Sequence, residues 1–182
     1  QLRDWVCNEC GDKTTPSMVT LQQLQIWLEQ AERMLVDAGT VPDVLREIEK
    51  MIPTFASRLS PTHYLVLRAC QTLARSSRMY AICLETVNDV RGGNLYRYKG
   101  AQAGFKAMKV MECLDARCTK GIDCTDDHPI CVGQPITLLW ACMDVIRTSR
   151  TNRQQLLPTV AKYLPYMFSI FGTDDDDICA VQ

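Results

Sequence analysis

Between positions 18 and 171 the apolar residues of this chain return every three or four positions, with no convincing run of strict alternation. That period lays one apolar stripe along a helix, so the fold has to bury helical stripes against each other rather than build a sheet. Leu24, Trp27, Leu28, Ala31, Met34, Leu35 and Ala38 form the first stripe. With Thr20 and Gln23 placed as a capping box and Gly39 as a stop, they predict a helix over 18–38. Thr40, Pro42 and Asp43 open a second, whose face of Leu45, Ile48, Ile52 and Phe55 ends near Arg58.

Ser60 and Pro61 signal a third start, because a proline in the first turn lacks a donor that would have no partner there. Tyr64, Leu67, Cys70 and Leu73 give its stripe to about Arg75; Tyr80, Cys83, Leu84 and Val87 give a fourth, stopped by Gly92 and Gly93. A longer fifth helix from Asn94 to about Cys118 carries Leu95, Tyr98, Ala101, Phe105, Met108 and Met111. After a polar loop over 119–128, Ile136, Leu139, Trp140, Met143 and Ile146 fix the body of a sixth, with Pro129 and Pro135 competing for its start. Thr151 and Gln154 read as the capping box of a last helix carrying Leu157, Val160, Leu164, Met167 and Phe171, with Gly172 as its stop. Pro165 inside that pattern implies a kink or a later start.

The expectation is an all-α fold, an antiparallel helical array of about seven helices. Long apolar helices end in acidic turns near Asp126 and again near Asp174, about 50 residues apart, a spacing compatible with tetratricopeptide-like helix-pair repeats. An irregular helical bundle is the alternative. The domain division is a cysteine knuckle over 1–16, a helical domain over 17–178 and a tail over 179–182.

Composition narrows the function classes. At 47 % hydrophobic and 23 % charged, with a net charge of -1, the chain is not of the disordered class and exerts no general electrostatic pull on nucleic acid or anionic membrane. No stretch approaches the roughly 18 apolar residues of a membrane helix. Gln1-Leu2-Arg3-Asp4-Trp5 has neither an initiator Met nor the features of a signal peptide, so the chain is expected to begin inside a larger one.

Ten cysteines in 182 residues exceed ordinary usage but fall short of the roughly 8–10 % of a disulfide scaffold. Cys7-Asn8-Glu9-Cys10 followed by Gly11 is the sharpest local motif: two thiolates at this spacing converge on one tetrahedral zinc, and the glycine lets the backbone turn around it. The pair is half a site, since no second pair at such spacing follows. A redox pair and a pair without a role are the competing readings. Cys113, Cys118, Cys124, Cys131 and His128 form a looser cluster, readable as a second zinc site, a disulfide or unrelated core and loop cysteines. Cys70, Cys83 and Cys142 fall on helical stripes and are expected in the core.

No catalytic constellation emerges. His63 reads as a first-turn packing or capping residue, Gly92-Gly93 as a helix C-cap rather than a phosphate loop, and 174–177 as a solvated acidic run. Lys99, Lys106, Lys109, Arg117 and Lys120 concentrate positive charge on the fifth helix, and Arg147, Arg150 and Arg153 form a second cluster. These read as solvated faces or, alternatively, as a docking surface for an acidic peptide.

Trp5-x-Cys7-x2-Cys10-Gly11, followed by a helical array containing Leu59-Ser60-Pro61-Thr62-His63-Tyr64-Leu65-Val66-Leu67, resembles the region after the catalytic core in SET-and-MYND (SMYD) proteins, particularly their divergent arthropod branch. The turns Asp126-Asp127-His128-Pro129 and Gly172-Thr173-Asp174-Asp175 look like inter-helix turns of that family's tetratricopeptide-like domain. The resemblance implies that Cys7 and Cys10 are zinc ligands whose partners lie upstream of Gln1. It also implies that protein-lysine methyltransferase activity and S-adenosylmethionine binding belong to an upstream domain, with no catalytic or cofactor-binding residue in this segment. The remaining role would be a wall of the substrate cleft or a surface for a protein or peptide partner, in the cytoplasm or nucleus. The alternatives are a free-standing helical-repeat adaptor that binds peptides and a secreted all-α binding protein with disulfides.

Overall fold

Among the described residues the stripes fold into six helices rather than the expected seven. The computed structural model describes residues 5–6, 13–14, 18–35, 40–59, 61, 63–118 and 129–171, and side chains over 20–35, 40–59, 61, 63–112 and 137–165. The helices are α1 (Met18–Met34), α2 (Val41–Arg58), α3 (Tyr64–Thr86), α4 (Val90–Cys118), α5 (Pro129–Ile146) and α6 (Arg150–Phe171). They follow a two-residue antiparallel ladder of β1 (Trp5–Val6) and β2 (Lys13–Thr14), in which Trp5 faces Thr14 and Val6 faces Lys13.

The expected third and fourth helices are one. The expected end of the third helix lies near Arg75, yet α3 runs on through Ser76 and Ser77, and Ser77 is fully buried, one of the small residues Ala74, Ser77 and Ala81 that let α4 come close. The stop at Gly92-Gly93 is corrected with it. Those glycines lie in the first turn of α4, and the turn is made by Val87, Asn88 at φ 64 and Asp89, whose carboxylate accepts the Gly92 N–H at 2.9 Å as an N-cap. Two other starts move. α3 begins at Tyr64 rather than Pro61, and α6 begins at Arg150, with the Ser149 hydroxyl accepting the Asn152 N–H at 3.5 Å in place of a Thr151–Gln154 box. α1 is already helical at Met18, so Thr20 lies inside its first turn instead of capping it. α6 continues through Pro158 as well as Pro165.

Contacts across the helices set their directions. Gly93 lies against Ala81 and Gly100 against Ala74, so α3 and α4 are antiparallel; Arg97 reaches Asp144 and Gly104 meets Ala141, so α4 and α5 are antiparallel too. Gln25 reaches Tyr64 while Glu32 reaches Thr72, so α1 and α3 run the same way. Every helix packs on its successor, α3 on α4 most extensively, and contacts also join α1 to α3, α3 to α5 and α4 to α6. The array therefore has two layers, odd helices in one and even helices in the other, with the core of Leu28, Leu45, Ile48, Phe55, Leu65, Met108, Met111 and Leu138 between them.

Candidate functional site

Cys7 and Cys10 lie outside the described residues, as do Cys124, His128 and the side chains of Cys113, Cys118 and Cys131. What is described is the ladder on either side of the Cys7–Cys10 segment, its antiparallel register setting Val6 opposite Lys13. Among the described residues no group of three or more His, Cys, Asp or Glu could hold a metal ion.

The remaining cysteines divide. Cys70 and Cys142 are buried free thiols, and burial pushes them up to about 11 and about 12, which keeps them protonated and unreactive. Cys83, expected in the core, is exposed, on the side of α3 opposite Ala74, Ser77 and Ala81, which meet α4. His63 caps its own turn: it is the N-cap of α3, its Nδ1 accepts the Leu65 N–H at 3.1 Å, and burial lowers its pKa. The basic clusters also disperse. Lys99 pairs with Glu49 of α2 at 2.7 Å, Lys106 and Lys109 stay exposed, Arg153 donates to the Ile146 and Thr148 carbonyls at the end of α5, and Arg117 and Lys120 lie outside the described side chains.

The odd layer presents two seams of different character. Between α1 and α3 the seam is closed by polar pairs: Tyr64 Oη to Gln25 Oε1 at 3.2 Å, Arg68 to Glu32 and, at 3.8 Å, to Glu29, and Thr72 Oγ1 to Glu32 Oε1 at 2.8 Å. Between α3 and α5 Arg78 bridges one end, to Asp144 and the Trp140 carbonyl, and the rest stays open. A cavity of about 100 Å³ lies there, lined by Gln71, Arg75, Gly100, Thr137, Trp140 and the Arg97-paired carboxylate of Asp144. Its opening follows from small residues: Gly100 of α4 forms the floor, and Ala74 and Ala141 the sides. Trp140 is 40 % exposed, with the Arg78 guanidinium 5.6 Å from its ring centroid.

Beneath this seam is a buried ion network. Arg97 of α4, wholly inaccessible, donates from Nε and Nη2 to the two Glu85 carboxylate oxygens at 2.5 and 2.7 Å and from Nη1 to Asp144 Oδ1 at 2.7 Å. Arg78 Nη1 lies 3.6 Å from the same Asp144 oxygen and donates to the Trp140 carbonyl at 3.3 Å. Hydrogen bonding from Arg97 pulls Glu85 below the usual carboxylate range, whereas burial pushes Asp144 upward against the pull of Arg78 and Arg97. Three helices are thus joined through the Arg97 guanidinium, and Arg78 links the same carboxylate to the ring of Trp140.

A second recess of about 350 Å³ lies between α1 and α2, where Trp27 and Met34, 36 % and 53 % exposed, face Val44 and Met51. Sequence reading placed Trp27 and Met34 on the α1 stripe but not in an open groove. It missed the Arg97–Asp144 pair altogether, although each is a lone charge on an otherwise apolar or small-residue stripe, which was the available signal.

Compared with family models, with curated proteins and with solved structures, the chain matches none.

Proposed function

We propose that this chain is a helical partner-binding region whose docking surface is the odd layer, at the open seam between α3 and α5. The observation that carries the reading is the contrast of the two seams. One is closed by a row of side-chain pairs, while the next is crossed by Arg78 at one end and, beside it, keeps a recess floored by a glycine, with Trp140 and Arg75 exposed. Exposed tryptophan and arginine beside a small recess is the composition of an interface hot spot.

Within that proposal the chain is the C-terminal region of a SMYD-type protein, placed after a catalytic domain that binds S-adenosylmethionine, and Cys7 and Cys10 supply two of four zinc ligands. The ladder that pairs Trp5–Val6 with Lys13–Thr14 supports this reading, because a Cys-x2-Cys-Gly segment closed by a short hairpin suits a zinc knuckle. Zinc would cross-link the knuckle and add to its folding free energy.

Selection of peptides from a display library against the chain, followed by amide exchange with and without the selected peptide, tests the docking surface. Protection concentrated in α3 and α5 is expected; protection confined to the α1–α2 recess would contradict it. For zinc, Cys7→Ser or Cys10→Ser in the longer chain should lower metal content by one ion per chain in elemental analysis, and unchanged content would count against the ligand assignment.

A further inference from the structure

The seam between α3 and α5 has a charge imbalance as well as a shape. Along the seam Arg75 lines the cavity, Arg78 lies on the Trp140 ring and Arg97 lies beneath, while Arg147 sits just past the end of α5; these four guanidiniums face two carboxylates, Glu85 and Asp144. Arg97 consumes both carboxylates, and Arg78 shares Asp144 while lying against the indole. Arg75 lines the cavity and forms no ion pair among the described residues. Arg147 follows Trp140 by seven positions, on the same side of α5 just past its end. It is exposed and forms no ion pair among the described residues, though it lies within the field of Glu85 and Asp144. A surplus of two positive charges therefore flanks an exposed indole and a recess of about 100 Å³, close to three water volumes or one aliphatic side chain.

We propose that this seam takes a short acidic peptide segment with one apolar anchor, the anchor seated against Trp140 over Gly100 and its flanking carboxylates met by Arg75 and Arg147. The proposal rests on the reading of the odd layer as the docking surface and adds the chemistry of the partner. The anchor gains burial against the indole and the Ala74 and Ala141 walls, and the planar guanidiniums match carboxylates in two-point hydrogen bonds. The surplus is local. Toward α1 the next groups along the face are Glu29 and Glu32, two carboxylates on the single Arg68, which would repel a continuing polyanion. That boundary favours a short acidic stretch over the backbone of a nucleic acid, which needs a basic track several phosphates long.

Titration of the chain with a labelled short peptide, glutamates flanking one leucine, tests this by fluorescence anisotropy and tryptophan emission. Replacing the glutamates by glutamines should weaken binding by about tenfold, added salt should weaken it, and replacing the leucine by serine should weaken it comparably. Arg75→Glu and Arg147→Glu, both surface changes whose helix content is checked by circular dichroism, should each reduce affinity for the acidic peptide. Arg75→Glu should at the same time restore binding of the lysine version. Equal binding of the glutamine peptide, indifference to Arg75→Glu, or tighter binding of a single-stranded oligonucleotide would overturn the proposal. If library peptides protect α3 and α5 but are neutral or basic, only the acidic chemistry fails. If no peptide protects that seam, the docking surface fails with it.

Discussion

At the scale of single residues, His63 does the work that the Ser60-Pro61 signal was expected to do, and it does so only when neutral. Its Nδ1 accepts the Leu65 N–H, its ring sits 4.7 Å from that of Tyr64, and it is 2 % exposed. Protonation removes the acceptor and places a charge in a dry site, so burial lowers the folded pKa below the unfolded 6.5. The sign follows: the unfolded chain takes up a proton that the folded chain refuses, so stability is fully present above pH 6.5 and is lost as pH falls from there toward the folded value. Urea unfolding midpoints should drop between neutral pH and mildly acid pH in the wild type and stay nearly level in His63→Asn, which keeps an N-cap acceptor. An equal drop in the variant would contradict the assignment. His63→Ala should cost about 1 kcal/mol or more through the lost cap. The thiols offer a second check. With Cys83 exposed and Cys70 and Cys142 buried with raised pKa values, an aromatic disulfide reagent should label Cys83 quickly and the other two only on unfolding. Fast labelling of Cys70 in the native chain would mean that the α3 core is open.

At the scale of elements, α4 is the hub, and its small residues explain both its packing and the errors in reading it. A Cβ built on Gly104 would lie 2.8 Å from the Ala141 Cβ, and one on Gly100 would lie 3.2 Å from the Ala74 carbonyl oxygen. Helix propensity alone predicts that Gly104→Ala stabilises by about 1 kcal/mol. The close approach predicts the opposite sign, a loss of roughly 1–3 kcal/mol from overpacking, with recovery when Ala141→Gly is added. Thermal melting of the single and double variants decides between them. Arg97 carries the other link. Arg97→Ala would leave Asp144 buried beside only the more distant Arg78 and should destabilise by about 3–5 kcal/mol, whereas Arg97→Met with Asp144→Leu should recover much of that. Helix α2 was legible almost to the residue, because Thr40, Pro42 and an uninterrupted apolar face all agree. The merged α3 was not. A buried serine beside a glycine-bearing helix is indistinguishable in sequence from a polar boundary, and Gly92-Gly93 read as a stop because Asp89 three positions earlier was not recognised as the cap.

At the scale of the molecule, the period of the stripes established the helical class, and the short turns established that successive helices run back on each other. The two-layer order and the difference between the seams came from pairings of residues 36 to 62 positions apart, such as Glu32 with Arg68 and Arg78 with Trp140, which no local pattern encodes. For the same reason the cysteine motif was visible at once, while the face around Trp140 was not. No helix among the described residues is long and apolar enough to cross a membrane, and Trp140, Trp27 and Met34 are exposed large apolar groups beside the two recesses. The most direct test of the account is photo-cross-linking. A benzophenone side chain introduced in place of Gln71, at the open seam, or of Arg46, on the outer side of α2, is irradiated with a peptide selected against the chain. Cross-links at position 71 and none at position 46 are predicted; cross-links at position 46 with none at 71 would contradict the assignment of the α3–α5 seam as the docking surface.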